Sequence, residues 1–526
     1  MHAVSEAVRR GAWRVLTRLD AWANRVYGAR HNPLYHSGAI VVVLLGVLIV
    51  TGVYLLVFYR VGAPWESVAR ISDQAWSGRW IRSVHRFAAD AAVVAAAVHA
   101  FRMFAQHRSW GPRALAWVSG LVLLAVIFVC GWTGYVLIWD VQAHVLAVEG
   151  ARFMDVLPIF SEPIGRTFVG ERPMPSAFFF LNLFAHVALP IGVGLLLWIH
   201  VSRVARPVLL PARRVIWGTV GGLALLAIAW PIGMAPEADL FRLPADVPLD
   251  LFFAFWLPLT RALPTWSVWA AGGGLGAIML FVPLCARPPK AERPARSRVD
   301  ERLCTGCEQC VLDCPYEAIT MVPRTDGRAG QVARVDPDAC VSCGICIGSC
   351  APMAVGPVGR TGRDQLAEAR SFVDRVRPGS RDVVVVGCEW SAASSLRALG
   401  SAPLFPVACA GNVHTSVVEH LVRDGVGGVV VVACPEQDCR GREGGKWLEQ
   451  RIHHGRLAEL KERVDRRRVR IVQAAAGELA LLRAELDRFV AAVVALDDAG
   501  AAGETGPADF CGESGSEAAE AEGVYQ

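Results

Sequence analysis

Apolar residues are unevenly spread along the 526 positions of this chain; they crowd into six runs, at about 37–58, 84–105, 115–138, 178–202, 215–234 and 266–284. Each approaches the roughly twenty residues that a helix needs to cross a bilayer. The pattern predicts an all-α transmembrane bundle of six spans: four helices over 37–205 and two further ones over 206–285. An Arg-rich amphipathic segment, 1–36, precedes them, and it does not read as a cleavable leader because the first apolar run is long enough to span. Past Arg287 the pattern shifts to short runs broken by charged turns, so a soluble half follows the membrane half. A Pro-, Arg- and Lys-rich linker, 286–299, leads to a cysteine-rich stretch, 300–358, expected to form an α+β domain. Between 380 and 496, apolar runs at 383–386, 403–408, 428–432 and 468–473 alternate with helical stretches near 413–424, 446–463 and 477–496. That order predicts an α/β domain with a parallel sheet. The final stretch, 497–526, is acidic without a base and rich in Gly and Ala, and is expected to be disordered.

Charge adds orientation. Arginines gather before the first run (Arg9, Arg10, Arg14, Arg18, Arg25, Arg30), between the fourth and fifth (Arg203, Arg206, Arg213, Arg214) and after the sixth (Arg287, Arg293, Arg296, Arg298). The positive-inside rule then places both termini in the cytoplasm, although Arg60, Arg70, Arg79 and Arg82 in the first loop run against it. The net charge of +5 is small, and no basic patch interleaves with aromatics, so no nucleic-acid partner is expected. Twelve of the fifteen cysteines fall in tight groups after Leu303, which suits metal clusters in a reducing compartment better than disulfides. Cys130, Cys285 and Cys511 belong to no group. The expectation is a multi-pass protein of a bacterial or archaeal cytoplasmic membrane, in contact with lipid.

Ionisable side chains at membrane depth are costly and mark function. His85 and His99 lie fourteen apart on the second span, and His186 and His200 fourteen apart on the fourth. Fourteen helical steps bring two rings to within about 40° of one face and separate them by roughly 21 Å. Two such helices can clamp two haems, one between His85 and His186 and one between His99 and His200. Gly38 and Gly52, and Gly120 and Gly134, repeat the interval on spans one and three. They are expected to let a porphyrin approach the backbone, with small-residue helix packing as the competing explanation.

Three stretches, Arg82-Ser83-Val84-His85-Arg86, His99-Ala100-Phe101-Arg102 and Gly134-Tyr135-Val136-Leu137-Ile138-Trp139-Asp140, make residues 31 to about 205 resemble cytochrome b of the quinol-oxidising bc and b-f complexes. The resemblance implies two b haems, of low potential toward the periplasm and higher potential toward the cytoplasm, with Arg82 and Arg86 beside propionates or simply at the interface. His36 stands where the b-f type has a cysteine that tethers a further haem. In the family, a Pro-Glu-Trp-Tyr motif lies twelve residues before an Arg with Pro three later. Arg261 and Pro264 fit that tail, and counting back gives Leu249-Asp250-Leu251-Phe252. Asp250 is thus the candidate to take a proton from hydroquinone, or else an ordinary loop aspartate.

Cys304, Cys307, Cys310 and Cys314-Pro315 are spaced C-x2-C-x2-C-x3-C-P, and Cys340, Cys343, Cys346 and Cys350 repeat the spacing. The fourth cysteine of each run crosses over: one [4Fe–4S] cluster takes Cys304, Cys307, Cys310 and Cys350, the other Cys340, Cys343, Cys346 and Cys314. Zinc sites use paired cysteines instead of a triplet plus one. The region resembles bacterial two-cluster ferredoxins. Cys388, Cys409 and Cys434 each follow an expected strand, with Cys439 close behind, and four thiols at one sheet edge suit a [2Fe–2S] cluster, with structural zinc as the alternative. Gly387-Cys388-Glu389-Trp390, Cys409-Ala410-Gly411 and Cys434-Pro435-Glu436-Gln437-Asp438-Cys439 resemble the small iron–sulfur subunit of methyl-viologen-reducing hydrogenases, in which a further cysteine stands at the place of Ser391.

Together these features predict a quinone-linked oxidoreductase subunit passing electrons between quinone and a cytoplasmic redox complex. The resemblance implies a partner that is heterodisulfide-reductase-like, a hydrogenase or another dehydrogenase. The alternative is a membrane redox sensor or anchor without quinone turnover, and a homodimer stays open as the assembly. The short linker is expected to hold the ferredoxin domain against the membrane, so that electrons pass between it and the His99/His200 haem, with the [2Fe–2S] domain beyond.

Overall fold

The computed structural model describes residues 2–502 except 159–161, 171–172, 203–205, 243–247, 249 and 397–401. Most of the acidic tail, with Cys511, together with Arg203 and Leu249, therefore lies outside the described residues.

The N-terminal part is helical: α1 (His2–Tyr27), α2 (Ser37–Phe58), α3 (Pro64–Asp73), α4 (Gly78–Ala105), α5 (Ala114–Val136), α6 (Val141–Met154), α7 (Ser176–Ser202), α8 (Arg213–Ala229), α9 (Leu257–Ala262) and α10 (Thr265–Cys285). Large apolar side chains face outward along its length, among them Val50, Val57, Ile191, Trp217 and Ile278. Helices satisfy their own backbone groups, so lipid accepts such a surface where water would not. Five helices are long and apolar enough to cross a membrane: α2, α4, α5, α7 and α10. The expected fifth span, 215–234, is α8, which has 17 residues and stops at Ala229 because Trp230 precedes Pro231. At about 26 Å it falls just short of the hydrocarbon thickness. It nevertheless packs on α2 and α4, and the chain after it reaches Arg82, near the far end of α4. α2 lies along α4 and α5 along α7, so each histidine-bearing helix runs beside a glycine-bearing one.

The ferredoxin-like part pairs β1 (Ser297–Val299) with β4 (Val355–Pro357) and β2 (Ile319–Pro323) with β3 (Gln331–Val335), all antiparallel. Between the strands lie single-turn helices α11 (Gln309–Leu312) and α12 (Ile345–Gly348), which carry Cys310 and Cys346. The last domain has a parallel sheet in the order β6-β5-β7-β8, built from β5 (Val383–Cys388), β6 (Leu404–Val407), β7 (Gly428–Ala433) and β8 (Val469–Gln473). α13 (Gly362–Val376), α15 (Thr415–Arg423) and α16 (Gly444–His453) cover one face; α14 (Ala393–Leu396) and α17 (Leu479–Ala502) cover the other. β5 and β7 are buried along their whole length, as runs of valine in a two-faced parallel sheet should be. Two boundaries differ from expectation. The helix expected over 446–463 ends at His453, where Gly455 takes a left-handed φ of 64°. The domain also begins before 380, because Ala369 and Phe372 of α13 share its core.

The larger correction concerns placement. The last domain does not lie beyond the ferredoxin part; it touches the membrane bundle directly. Trp13 of α1 meets Trp390 edge-on at 5.3 Å, and Asn24 donates to Glu478 at 3.0 Å. Arg102 at the end of α4 pairs with Asp438. Sequence reading missed this because partners 336 residues apart leave no local pattern.

Candidate electron-transfer site

The four intramembrane histidines form two facing pairs. His85 and His186 have ring centroids 6.4 Å apart, tilted by 54°, and His99 and His200 follow fourteen residues on along the same two helices. Each ring is backed by one of the four glycines. A Cβ on Gly38 would come to 2.8 Å from the His99 ring, on Gly52 to 3.3 Å from His85, on Gly120 to 3.3 Å from His200 and on Gly134 to 3.0 Å from His186. The glycines therefore make room first for the imidazoles, a refinement of the expected clearance for a porphyrin.

A further element escaped the sequence reading: a hydroxyl residue precedes every one of these glycines, in Ser37-Gly38, Thr51-Gly52, Ser119-Gly120 and Thr133-Gly134. The repeated Ser/Thr-Gly dipeptide was the signal that could have revealed it. Thr51 Oγ1 lies 2.9 Å from His85 Nδ1, Ser119 Oγ 2.9 Å from His200 Nδ1, and Thr133 Oγ1 3.0 Å from His186 Nδ1. Each hydroxyl donates its own hydrogen to a carbonyl one turn back, at Val47, Leu115 and Cys130 respectively. Its oxygen is left to accept from Nδ1–H. That fixes the tautomer and leaves Nε2, with its lone pair, free for iron. The donor set, its facing geometry and the glycine clearance fit haem ligation. Gly38→Ala should cost most of the haem held by His99 and His200, whereas Gly52→Ala, with 0.5 Å more room, should retain most of its haem; haem content per chain decides.

Arg82 is turned to carbonyl groups, donating to Ile232 O at 2.9 Å and Gly233 O at 3.2 Å, and so ties the end of α8 to α4. Arg86 forms ion pairs with Asp90 and Asp250, and Asp250 also accepts from the Tyr135 hydroxyl. Two backbone N–H groups, of Phe252 and Phe253, donate to Asp250 at 2.7 Å. Burial raises this carboxyl, but Tyr135, Phe253 N–H and Arg86 outweigh it and hold Asp250 below the usual carboxylate range. Asp250 is thus no solvated loop aspartate. It sits with Arg86, the neighbour of His85, at that end of the bundle.

In the ferredoxin part the structure gathers the crossed quartets. One pocket is lined by Cys304, Cys307, Cys310 and Cys350, and another by Cys314, Cys340, Cys343 and Cys346. Backbone N–H groups point at sulfur, Ala354 to Cys350 at 3.1 Å and Ala318 to Cys314 at 3.4 Å, as cluster thiolates require. Burial, with the neighbouring thiols adding to it, pushes Cys310 and Cys346 up to about 12, so metal binding must displace their protons.

The third group of thiols meets at the carboxyl edge of the parallel sheet. Cys388 and Cys434 Sγ atoms are 3.7 Å apart. A Cβ on Gly441 would come to 3.1 Å from Cys409 Sγ and 3.9 Å from Cys439 Sγ, so that glycine keeps open a cradle beside both. All four cysteines are buried. Ser391 lies in the adjacent turn with its hydroxyl donating to Cys388 O.

A bundle with facing histidine pairs, joined to cavities lined by cysteine quartets, defines a multi-pass membrane electron-transfer subunit. Comparison with known proteins then names its parts: residues 25–206 match the cytochrome b/b6/petB family, 303–354 the 4Fe–4S dicluster domain and 383–497 the delta subunit of methyl-viologen-reducing hydrogenase. The chain carries these three domains in that order, and haem b and [4Fe–4S] are the cofactors of the first two. The chain is similar to the cytochrome b subunits of menaquinol:cytochrome c reductase. That of Geobacillus thermodenitrificans is 26% identical over 31% of this chain and 79% of its own length; that of Bacillus subtilis is 26% identical over 29% and 73%. A chain of a hyperthermophilic respiratory Complex III structure is 18% identical, with a TM-score of 0.37 over 48% of this chain and 75% of its own.

Proposed function

We propose that this chain conducts electrons between the quinone pool and a cytoplasmic redox complex, through two b haems, two [4Fe–4S] clusters and one [2Fe–2S] cluster. The observation that carries the reading is continuity: the end of α4 that bears His99 is in direct contact with a domain holding four buried thiols, which in turn packs on the ferredoxin part. The cofactors supply one-electron redox chemistry when bound; the chain holds and orients them. His85 with His186 and His99 with His200 present iron ligands, the two crossed quartets hold cubane clusters, and Cys388, Cys409, Cys434 and Cys439 hold the third. α8 serves as a short sixth crossing, which returns the chain to the side of α1 and puts both termini in the cytoplasm. Asp250, anionic and held by Arg86 and Tyr135, stands near the His85 end, where a hydroquinone could yield its proton once that grip loosens.

Adding a menaquinol to the full chain in detergent under anaerobic conditions should raise the reduced haem α-band within seconds. A sensor or anchor without quinone turnover would leave the haems oxidised while dithionite still reduced them, and that result would refute the proposal.

A further inference from the structure

The joint between α4 and the last domain is made by buried polar and charged side chains. His99, Arg102 and Gln106 fall at i, i+3 and i+7, on one face of α4 and its end. Arg102 is buried, donates to Asp20 of α1 at 2.6 Å and pairs with Asp438; Gln106 Nε2 donates to Asp438 at 2.6 Å. Arg108 donates to the carbonyl oxygen of Cys439, one of the four thiol residues, at 2.6 Å. Tyr35 lies beneath the Arg102 guanidinium, 4.8 Å from ring centroid to Cζ. The ferredoxin part also meets the bundle, Arg113 donating to the Tyr316 hydroxyl and the half-exposed Arg206 to Leu312 O at 2.9 Å. On its other side the last domain is locked to the ferredoxin part. Fully buried Arg451 donates to Ser349 and to Gly411 O, Arg456 pairs with Asp313, and His414 Nε2 lies 3.1 Å from Cys350 O. Cys409 shares a small apolar cluster with Ile345, Trp447 and Cys343.

We infer that Arg102, Gln106 and Arg108, with Asp438, are positioning residues that seat the Cys388/Cys409/Cys434/Cys439 group against the His99 end of the bundle, making it the point where the soluble half meets the haem. Buried charged hydrogen bonds fix geometry better than surface pairs do. The last domain thus touches both the bundle and the ferredoxin part, instead of lying distal to both. Electron exchange across this joint makes and breaks no bond: one electron leaves the reduced partner and arrives at the oxidised one. The inference rests on the proposed function, since it takes the thiol group to hold a redox centre.

The test uses the full cofactor-loaded chain and electron paramagnetic resonance. Spin relaxation of the reduced third-domain centre should be faster when the His99/His200 haem is ferric than when that haem is absent, as in His99→Ala. The enhancement should be lost in Arg108→Ala and in Asp438→Asn at unchanged haem and iron content. A diamagnetic zinc-filled site would overturn the inference. So would enhancement confined to the centre of Cys314, Cys340, Cys343 and Cys346, or enhancement that survives both substitutions. Quinol reduction of the haem is read separately: its failure with the enhancement intact counts against the proposed function alone.

Discussion

If the proposed pairing of His85 with His186 and of His99 with His200 holds two haems, alanine at His99 or His200 should halve the haem bound per chain. In the proposed assignment each haem would be held by two imidazoles from different helices, so removing either ring would take away one of its two holders. His85 and His186, about 21 Å away along the same helices, would still hold the other haem. It also keeps its supporting hydroxyls, Thr51 and Thr133, and its glycines, Gly52 and Gly134. A pyridine haemochrome assay should therefore report about half the haem per chain, with a single symmetric α-band. Both haems retained in His99→Ala would mean the ligand pairing is wrong; both lost would mean the sites are not independent.

Breaking the joint should have the largest effect on stability. Arg102→Ala removes a guanidinium that faces two buried carboxylates, and its own exposure is 3%. Burial raises Asp20 to about 7 and raises Asp438 as well, even with Arg102 present, so neither carboxylate is easily held without it. Removing one member of a buried charge group costs about 3–5 kcal/mol, against roughly 0–1 for an exposed pair. The cost should fall on the docking of the last domain, as lost hydrogen-exchange protection in α1 and in residues 434–442, while the parallel sheet keeps its own. Asp20→Asn combined with Arg102→Met removes one charge of each sign and should be milder. Equal protection in Arg102→Ala and the unmodified chain would show that the ion pairs carry little of the docking.

How much of this was written locally explains what could be read in advance. Cysteine spacing encodes a cluster within a dozen residues, because the loop that wraps a cubane is itself local; the crossover of Cys314 and Cys350 follows from the same geometry. The fourteen-residue histidine interval is equally local, being two places on one helix. The Ser/Thr-Gly dipeptides are as local as the glycines, but the bond from each hydroxyl to Nδ1 runs between two helices, and only the fold shows it. α8 was read too long because hydropathy runs through Pro231, whereas the backbone stops before it. The joint was out of reach: Arg102 looks like any basic residue at the end of a span, and only the folded chain brings Asp438 to it.

The central claim, that haems and iron–sulfur centres form one conducting chain to quinone, is tested most directly by reoxidation. Full-length protein reduced with dithionite, freed of excess reductant and mixed with a menaquinone in a stopped-flow instrument, should show the haem α-band fall first and the iron–sulfur absorbance recover behind it. In His99→Ala, with its clusters shown to be present, that recovery should slow by at least about tenfold while the remaining haem is still oxidised. Recovery of the iron–sulfur absorbance at the unmodified rate without the His99/His200 haem would contradict the account.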